Sequence, residues 1–200
     1  MSGDEHVVEL IRARLDESAA VKQAMQSDED FTSTLAGVAA VIVAAFRAGR
    51  KVLLCGNGGS AADAEHIAAE FVGRFSARRE PLAAIALTAN TSCLTAIGND
   101  FTFDAVFARQ VRGLGNPGDV AIGISTSGEA ENVVQAIDAA KARGLVTVGL
   151  TGSRGGRLSD CVDYCLRVPS DVTARIQEGH ITAAHIVCEI VEQALLDHGT

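Results

Sequence analysis

The chain has 200 residues, 48% of them hydrophobic, with 20 glycines, no tryptophan and a formal net charge of −8. That length holds one domain with a sizeable core, and the bias toward Ala, Val, Ile and Leu fits a soluble α/β protein. Scarce aromatics and the acidic balance argue against a nucleic-acid partner, while a small anionic ligand stays open because backbone amides bind phosphate without net positive charge.

Residues 1–50 read as two helices. Val7, Val8, Ile11 and Leu15 follow helical spacing, as do Leu35, Val38, Val41, Ile42 and Phe46. Ser27 or Asp28 offers an N-cap for the second helix. The opening run MSGDEHVVELIRARLDE is charged and lacks the apolar stretch of a signal peptide. No strand pattern occurs here, so residues 1–50 are expected to form a helical extension ahead of a main domain spanning 51–200.

From Lys51 strand and helix patterns alternate. KVLLCG reads as a buried strand and SAADAEHIAAEFVGRF as a helix, followed by the strand LAAIALT and a helical stretch from Thr91 to Leu114. DVAIGIS is the next strand, EAENVVQAIDAAKARG the next helix, and LVTVGLTG and VDYCLRV the last two strands. A final helix runs from Thr173 to Asp197, with Ile181, Ile186, Val187, Ile190 and Val191 as packing positions. The alternation predicts a three-layer α/β/α sandwich, with a central, mostly parallel five-stranded sheet of flavodoxin-like type behind the two leading helices.

Apolar runs are of strand length, so no membrane span is expected. The five cysteines (55, 93, 161, 165 and 188) are odd in number and form no CxxC pair. A reduced, cytoplasmic protein with free thiols follows from that pattern.

In such sheets ligands bind beyond the carboxyl ends of the strands. Three of those ends are unusual: CGNGGSA, ISTSGEAEN and LTGSRGG. The first, Gly56 to Ala61, matches the loose dinucleotide pattern GxGxxG/A. The ribose anchor is missing, because the second strand ends LTANTSC without an acidic residue, and no GK[ST] follows for a nucleotide phosphate loop. In the second, Ser125, Thr126, Ser127 and Gly128 stand directly before a helix. Backbone N–H groups, hydroxyls and the positive helix end suit one phosphate group there. A single N-cap needs one hydroxyl, and three in a row exceed that need.

On the helix after the first loop, Asp63, His66, Glu70 and Gly73 share one side, and Ala64, Ile67, Ala68 and Phe71 form the apolar side. His66 and Glu70 lie one turn apart on one face. That spacing suits a metal-ligand pair, an acid/base pair or a solvated face. The last helix adds Gln177, His180 and His185 as polar interruptions, and a buried histidine among Ala, Ile and Val also reads as a plain core residue.

Together, GNGGSAADAEHIAAEF, AIGNDF, ISTSGEAENV, LTG-x-x-GG and RIQEGHITAAHI resemble the phosphoheptose isomerases, a family of the sugar isomerase (SIS) group. The motifs span residues 50 to 190 in the family's order, and the two leading helices also fit. The resemblance implies an enzyme that isomerises sedoheptulose 7-phosphate to a manno-heptose 7-phosphate, the entry to nucleotide-activated heptose synthesis. It implies a homotetramer with active sites at subunit interfaces, and a zinc ion held by His66, Glu70, Gln177 and His185. It further implies that Asn57, Gly58, Gly59, Ser60, Asn99, Asp100, Ser125, Thr126, Ser127, Glu70 and Gln177 bind the substrate.

Aldose–ketose isomerisation moves one proton between C1 and C2 and another between their oxygens. Glu70 suits the carbon base and His185 the proton shuttle between oxygens. Gln177 and His185 are separated by about 12 Å along one straight helix. Either Gln177 lies at a frayed helix start or the two come from different subunits. Two departures from the family pattern stand out: Ala174 where some members are acidic, and Ala130 where some carry serine. The rival readings are a non-catalytic SIS protein that binds the replication initiator, which lacks the glutamate and last histidine, and another sugar-phosphate isomerase or lyase of the group.

Overall fold

Apolar strand runs that turn into amphipathic helices leave the backbone one economical solution, a parallel sheet with helices on both faces. The computed structural model of the chain describes residues 3–196. In order, the elements are α1 (Gly3–Ser27), α2 (Glu29–Arg47), β1 (Val52–Gly56), α3 (Gly59–Val72), β2 (Ala84–Ala86), α4 (Thr91–Asp100), α5 (Val106–Leu114), β3 (Val120–Ile124), α6 (Glu131–Ala142), β4 (Val146–Thr151), α7 (Gly156–Cys161), β5 (Tyr164–Arg167) and α8 (Thr173–Leu196). Every strand pairing is parallel, in the order β2-β1-β3-β4-β5. That is the flavodoxin-like order, with its reversal between β1 and β3. The expected sheet is thus present and wholly parallel.

Register fixes where the loops emerge. Gly56 pairs with Ile124, and Ile124 with Leu150, so the loops after β1, β3 and β4 leave the sheet side by side. Residues of β1 and β3 are buried throughout, because helices cover both faces. One face packs Ile42, Ile67, Phe71 and Val187 from α2, α3 and α8. The other packs Phe107, Val111, Val133 and Ile137 from α5 and α6.

Asp28 is the N-cap of α2, accepting from the Phe31 N–H at 3.0 Å. Among the described residues α2 is the helix long and apolar enough by composition to cross a membrane, with mean hydropathy 1.4. Here Phe31, Leu35, Val38 and Ile42 bury that face in the same core as the sheet. By contrast, Val7, Ile11 and Leu15 of α1 are 53%, 54% and 64% exposed.

Three expectations change. The helical stretch from Thr91 to Leu114 is broken: α4 stops at Asp100, Phe101 and Thr102 leave helical geometry, and a 3-10 turn (Phe103–Ala105) leads into α5. α7 is a short helix within a segment read as loop. Ile186 and Ile190, expected in the core, are each 39% exposed on α8. Asp197, the expected end of the last helix, lies outside the described residues. None of the five cysteines is paired, and Cys55 and Cys188 are buried.

Candidate active site

The loop after β1 has to turn sharply from strand into helix. Gly58 takes φ +56°, and the amides of Ser60, Ala61 and Ala62 turn back onto the carbonyls of Asn57 and Gly58. Asn57 projects from this turn and pairs with Asn132 of α6 by two amide hydrogen bonds of 2.8 and 2.9 Å, one in each direction. Each carboxamide keeps a further N–H and lone pair for a ligand. Asn132 went unnoticed in the sequence, because only the β1–β3 pairing brings residues 75 apart together. Ser60 is buried beneath the turn.

Beside it, the loop after β3 carries Ser125, Thr126 and Ser127. Ser125 Oγ accepts from the Gly128 N–H at 3.1 Å and Ser127 Oγ from the Glu129 N–H at 3.2 Å. The two hydroxyls are 3.4 Å apart, so at most one of their protons is used between them. Gly128 adopts φ +71°, and a Cβ there would lie 1.9 Å from the Gly155 carbonyl oxygen, which locks this loop against the loop after β4. Thr126, Ser127, Ser153, Ser170 and Thr173 line a cleft of about 470 Å³ at this end of the sheet. Glu129 also lines it and accepts from the Arg157 backbone N–H at 3.1 Å, while the Arg157 guanidinium holds Glu131 at 2.6 Å. Ala130 is the N-cap of α6 and gives no side-chain cap. Ala174 is exposed on the first turn of α8, while Asp171 lines the cleft.

The helical polar face forms a cluster. His66 Nε2 lies 3.1 Å from Glu70 Oε1 and 3.1 Å from His185 Nε2, joining α3 to α8. One donor atom from each of the three residues falls within 4.8 Å of the others. The two facing imidazole nitrogens hold one proton between them, and the Glu70 oxygen beside them competes for it. A cation between them satisfies all three, and two imidazoles with a carboxylate are a zinc-type donor set. Phe75 walls the cluster with its ring centroid 5.8 Å from that of His185. Asp63, one turn before His66, has its Oδ2 buried without a partner, and burial raises its pKa against the lowering pull of His66.

Gln177 stands elsewhere. It is the fifth residue of an unfrayed α8, and its amide rests on Gly59, where an added Cβ would meet Nε2 at 2.3 Å. Gly59 precedes His66 by two helical turns, about 10 Å along α3. One protomer therefore gathers His66, Glu70 and His185 but not Gln177. Asn99 and Asp100 lie exposed at the end of α4, bonded to each other at 2.9 Å and, among the described residues, to none of the three loops. His180 separates from its neighbours as a core residue: it is 1% exposed, and burial lowers its pKa to about 4 despite the opposing bond to Thr151. Its neutral ring donates from Nε2 to the Thr151 carbonyl at 3.0 Å, which leaves Nδ1 without a partner.

Comparison with known proteins bears on the family and the fold. Residues 15–152 match the family model described as SIS domain. A phosphoheptose isomerase of Roseiflexus sp. is 61% identical over 82% of this chain and 83% of its own. Among solved structures, a phosphoheptose isomerase from Neisseria gonorrhoeae superposes with TM-score 0.88 at 43% identity, over 94% of this chain and 99% of its own. Another, from Francisella tularensis, gives TM-score 0.89 at 36% identity over 94% and 98%.

Proposed function

Because the chain belongs to the phosphoheptose isomerases of the SIS-domain family, sugar-phosphate isomerases of heptose biosynthesis, we propose that it converts sedoheptulose 7-phosphate to D-glycero-D-manno-heptose 7-phosphate through an enediolate. The observation that carries the reading is the convergence of one carboxylate and two imidazoles on adjoining helices. Glu70 takes a proton from C1, exchanges it with solvent and delivers one to C2, while His185 moves the proton between O1 and O2. Its neighbour His66 orients Glu70 through the 3.1 Å contact. Ser125, Thr126 and Ser127 hold the phosphate with hydroxyl and backbone donors, and Asn57, held by Asn132, meets the sugar chain together with Gly58, Gly59 and Ser60.

His66, Glu70 and His185, with Gln177 as a fourth donor, would hold zinc, which would supply a Lewis acid for the substrate carbonyl. Since Gln177 stands two turns from its own cluster, a neighbouring copy of the chain provides it, and Asn99 and Asp100 reach the substrate in the same way. The exposed apolar stripe of α1, with Ile186 and Ile190 beside His185, supports a homotetramer with active sites between subunits. A reduced cytoplasmic setting fits the unpaired thiols.

Purified protein incubated with sedoheptulose 7-phosphate and, separately, with shorter ketose phosphates, followed by NMR, tests the substrate. Conversion of the seven-carbon sugar is expected. Sustained conversion only of a shorter sugar would overturn the heptose assignment.

A further inference from the structure

A second polar group sits two turns along α8 from His185. Glu192 is buried on that helix and accepts four hydrogen bonds: from the N–H groups of Phe75 (3.1 Å), Ser76 (2.8 Å) and Ala77 (2.8 Å), and from Arg79 Nε (3.0 Å). The side chains of Arg79 and Glu192 are only 6% and 4% exposed. Arg79 also donates to the carbonyls of Glu70 (2.7 Å), Phe71 (2.8 Å) and Glu80 (3.1 Å). The first two carbonyls are at the C-terminal end of α3, where a helix leaves its acceptors unpaired and its dipole negative.

Glu70 is therefore held at both ends. Its carboxylate meets His66, which meets His185 of α8; its carbonyl meets Arg79, which meets Glu192 of the same α8. Phe75, whose N–H donates to Glu192, presents its ring to His185. Burial alone would raise the Glu192 pKa, but the N–H donors of Ala77, Ser76 and Phe75 and the charge of Arg79 outweigh it, so the carboxylate stays charged. Buried ion pairs stabilise little compared with apolar residues of the same shape, so conformational specificity is the better account of this one.

We propose that Glu192 and Arg79 are positioning residues for the isomerase site, setting the spacing of Glu70 and His66 against His185 by clamping the end of α3 to α8. The inference rests on the proposed reaction.

The full chain carries the test. Glu192→Gln removes the charge and part of the acceptor set, and Arg79→Lys keeps the charge while removing the fork. Turnover of sedoheptulose 7-phosphate gives kcat and KM, and competition against a chromophoric chelator gives zinc affinity without substrate. Both variants should lose about 10- to 100-fold in kcat and in zinc affinity, with KM within about threefold of wild type. Asp163→Asn is the stability control, since Asp163 staples Thr147 at the far end of β4 with bonds of 2.7 and 2.8 Å. It should lower Tm and leave kcat and zinc affinity unchanged.

Folded variants with wild-type kcat and zinc affinity would overturn the proposal, as would equal losses in Asp163→Asn at matched Tm. If Glu192→Gln does not fold, Arg79→Lys decides on the same readouts; if neither folds, the pair is a folding element and the proposal falls. A wild type inactive on the sugar would refute the substrate, and zinc affinity would then decide the positioning role. A wild type that neither turns over the sugar nor binds zinc would refute both.

Discussion

Gly59→Ala separates stability from activity at one atom. An added Cβ lies 2.3 Å from Gln177 Nε2, 3.0 Å from Cδ and 3.2 Å from Oε1. Unbonded heavy atoms settle at about 3.5–4.0 Å, so the amide has to retreat by more than about 1 Å. The obstacle is the end of a flexible side chain, and leaving it off-rotamer costs about 0.5–1.5 kcal/mol. Alanine in place of glycine in a helix returns up to about 1 kcal/mol. The two nearly cancel, so Tm should move by less than about 2–4 °C, the shift that a full 1 kcal/mol would give. Activity has no such offset, because a displacement of about 1 Å at a reacting site costs about 100-fold. Thermal melting beside steady-state turnover of sedoheptulose 7-phosphate reads both. Wild-type turnover in folded Gly59→Ala protein would refute the role given to the Gln177 amide.

Refolding Gln177→Ala and His185→Ala chains together should restore turnover that each lacks alone, in about a quarter of sites if pairing is random and the two residues of one site belong to different copies; no restoration would place both in one chain. Ala130→Ser should raise stability by about 1 kcal/mol in denaturant melts, because it supplies the side-chain cap that α6 lacks. The Glu192 pKa is lowered from 4.5, so its contribution is full above that value and lost as pH falls through the lowered one. The stability advantage of wild type over Glu192→Gln should accordingly be constant near neutrality and shrink in acid below 4.5. An advantage independent of pH would contradict the charged clamp.

The order of strands and helices was legible because continuous apolar runs such as VLLCG and VAIGI alternate with amphipathic stretches. The break after Asp100 was not, since Ile97, Phe101 and Ala105 keep four-residue helical spacing across it and the stop signal is only the weak Gly98-Asn99 pair. At the site, spacing put His66 and Glu70 on one face. Their meeting with His185 depends on α3 and α8 running side by side in the same direction, as the contacts Gly59–Gln177 and His66–His185 require. Asn132, Arg79 and Glu192 carry no local signal, and only long-range packing gives them partners.

Glu70→Gln protein loaded with zinc, given sedoheptulose 7-phosphate in D₂O and followed by proton NMR, tests the central claim most directly. Wild type should form the aldose with solvent deuterium at C2. The variant should melt like wild type, lose about 10²–10⁴ in turnover and incorporate no deuterium. Near wild-type turnover in the folded variant would contradict Glu70 as the carbon base.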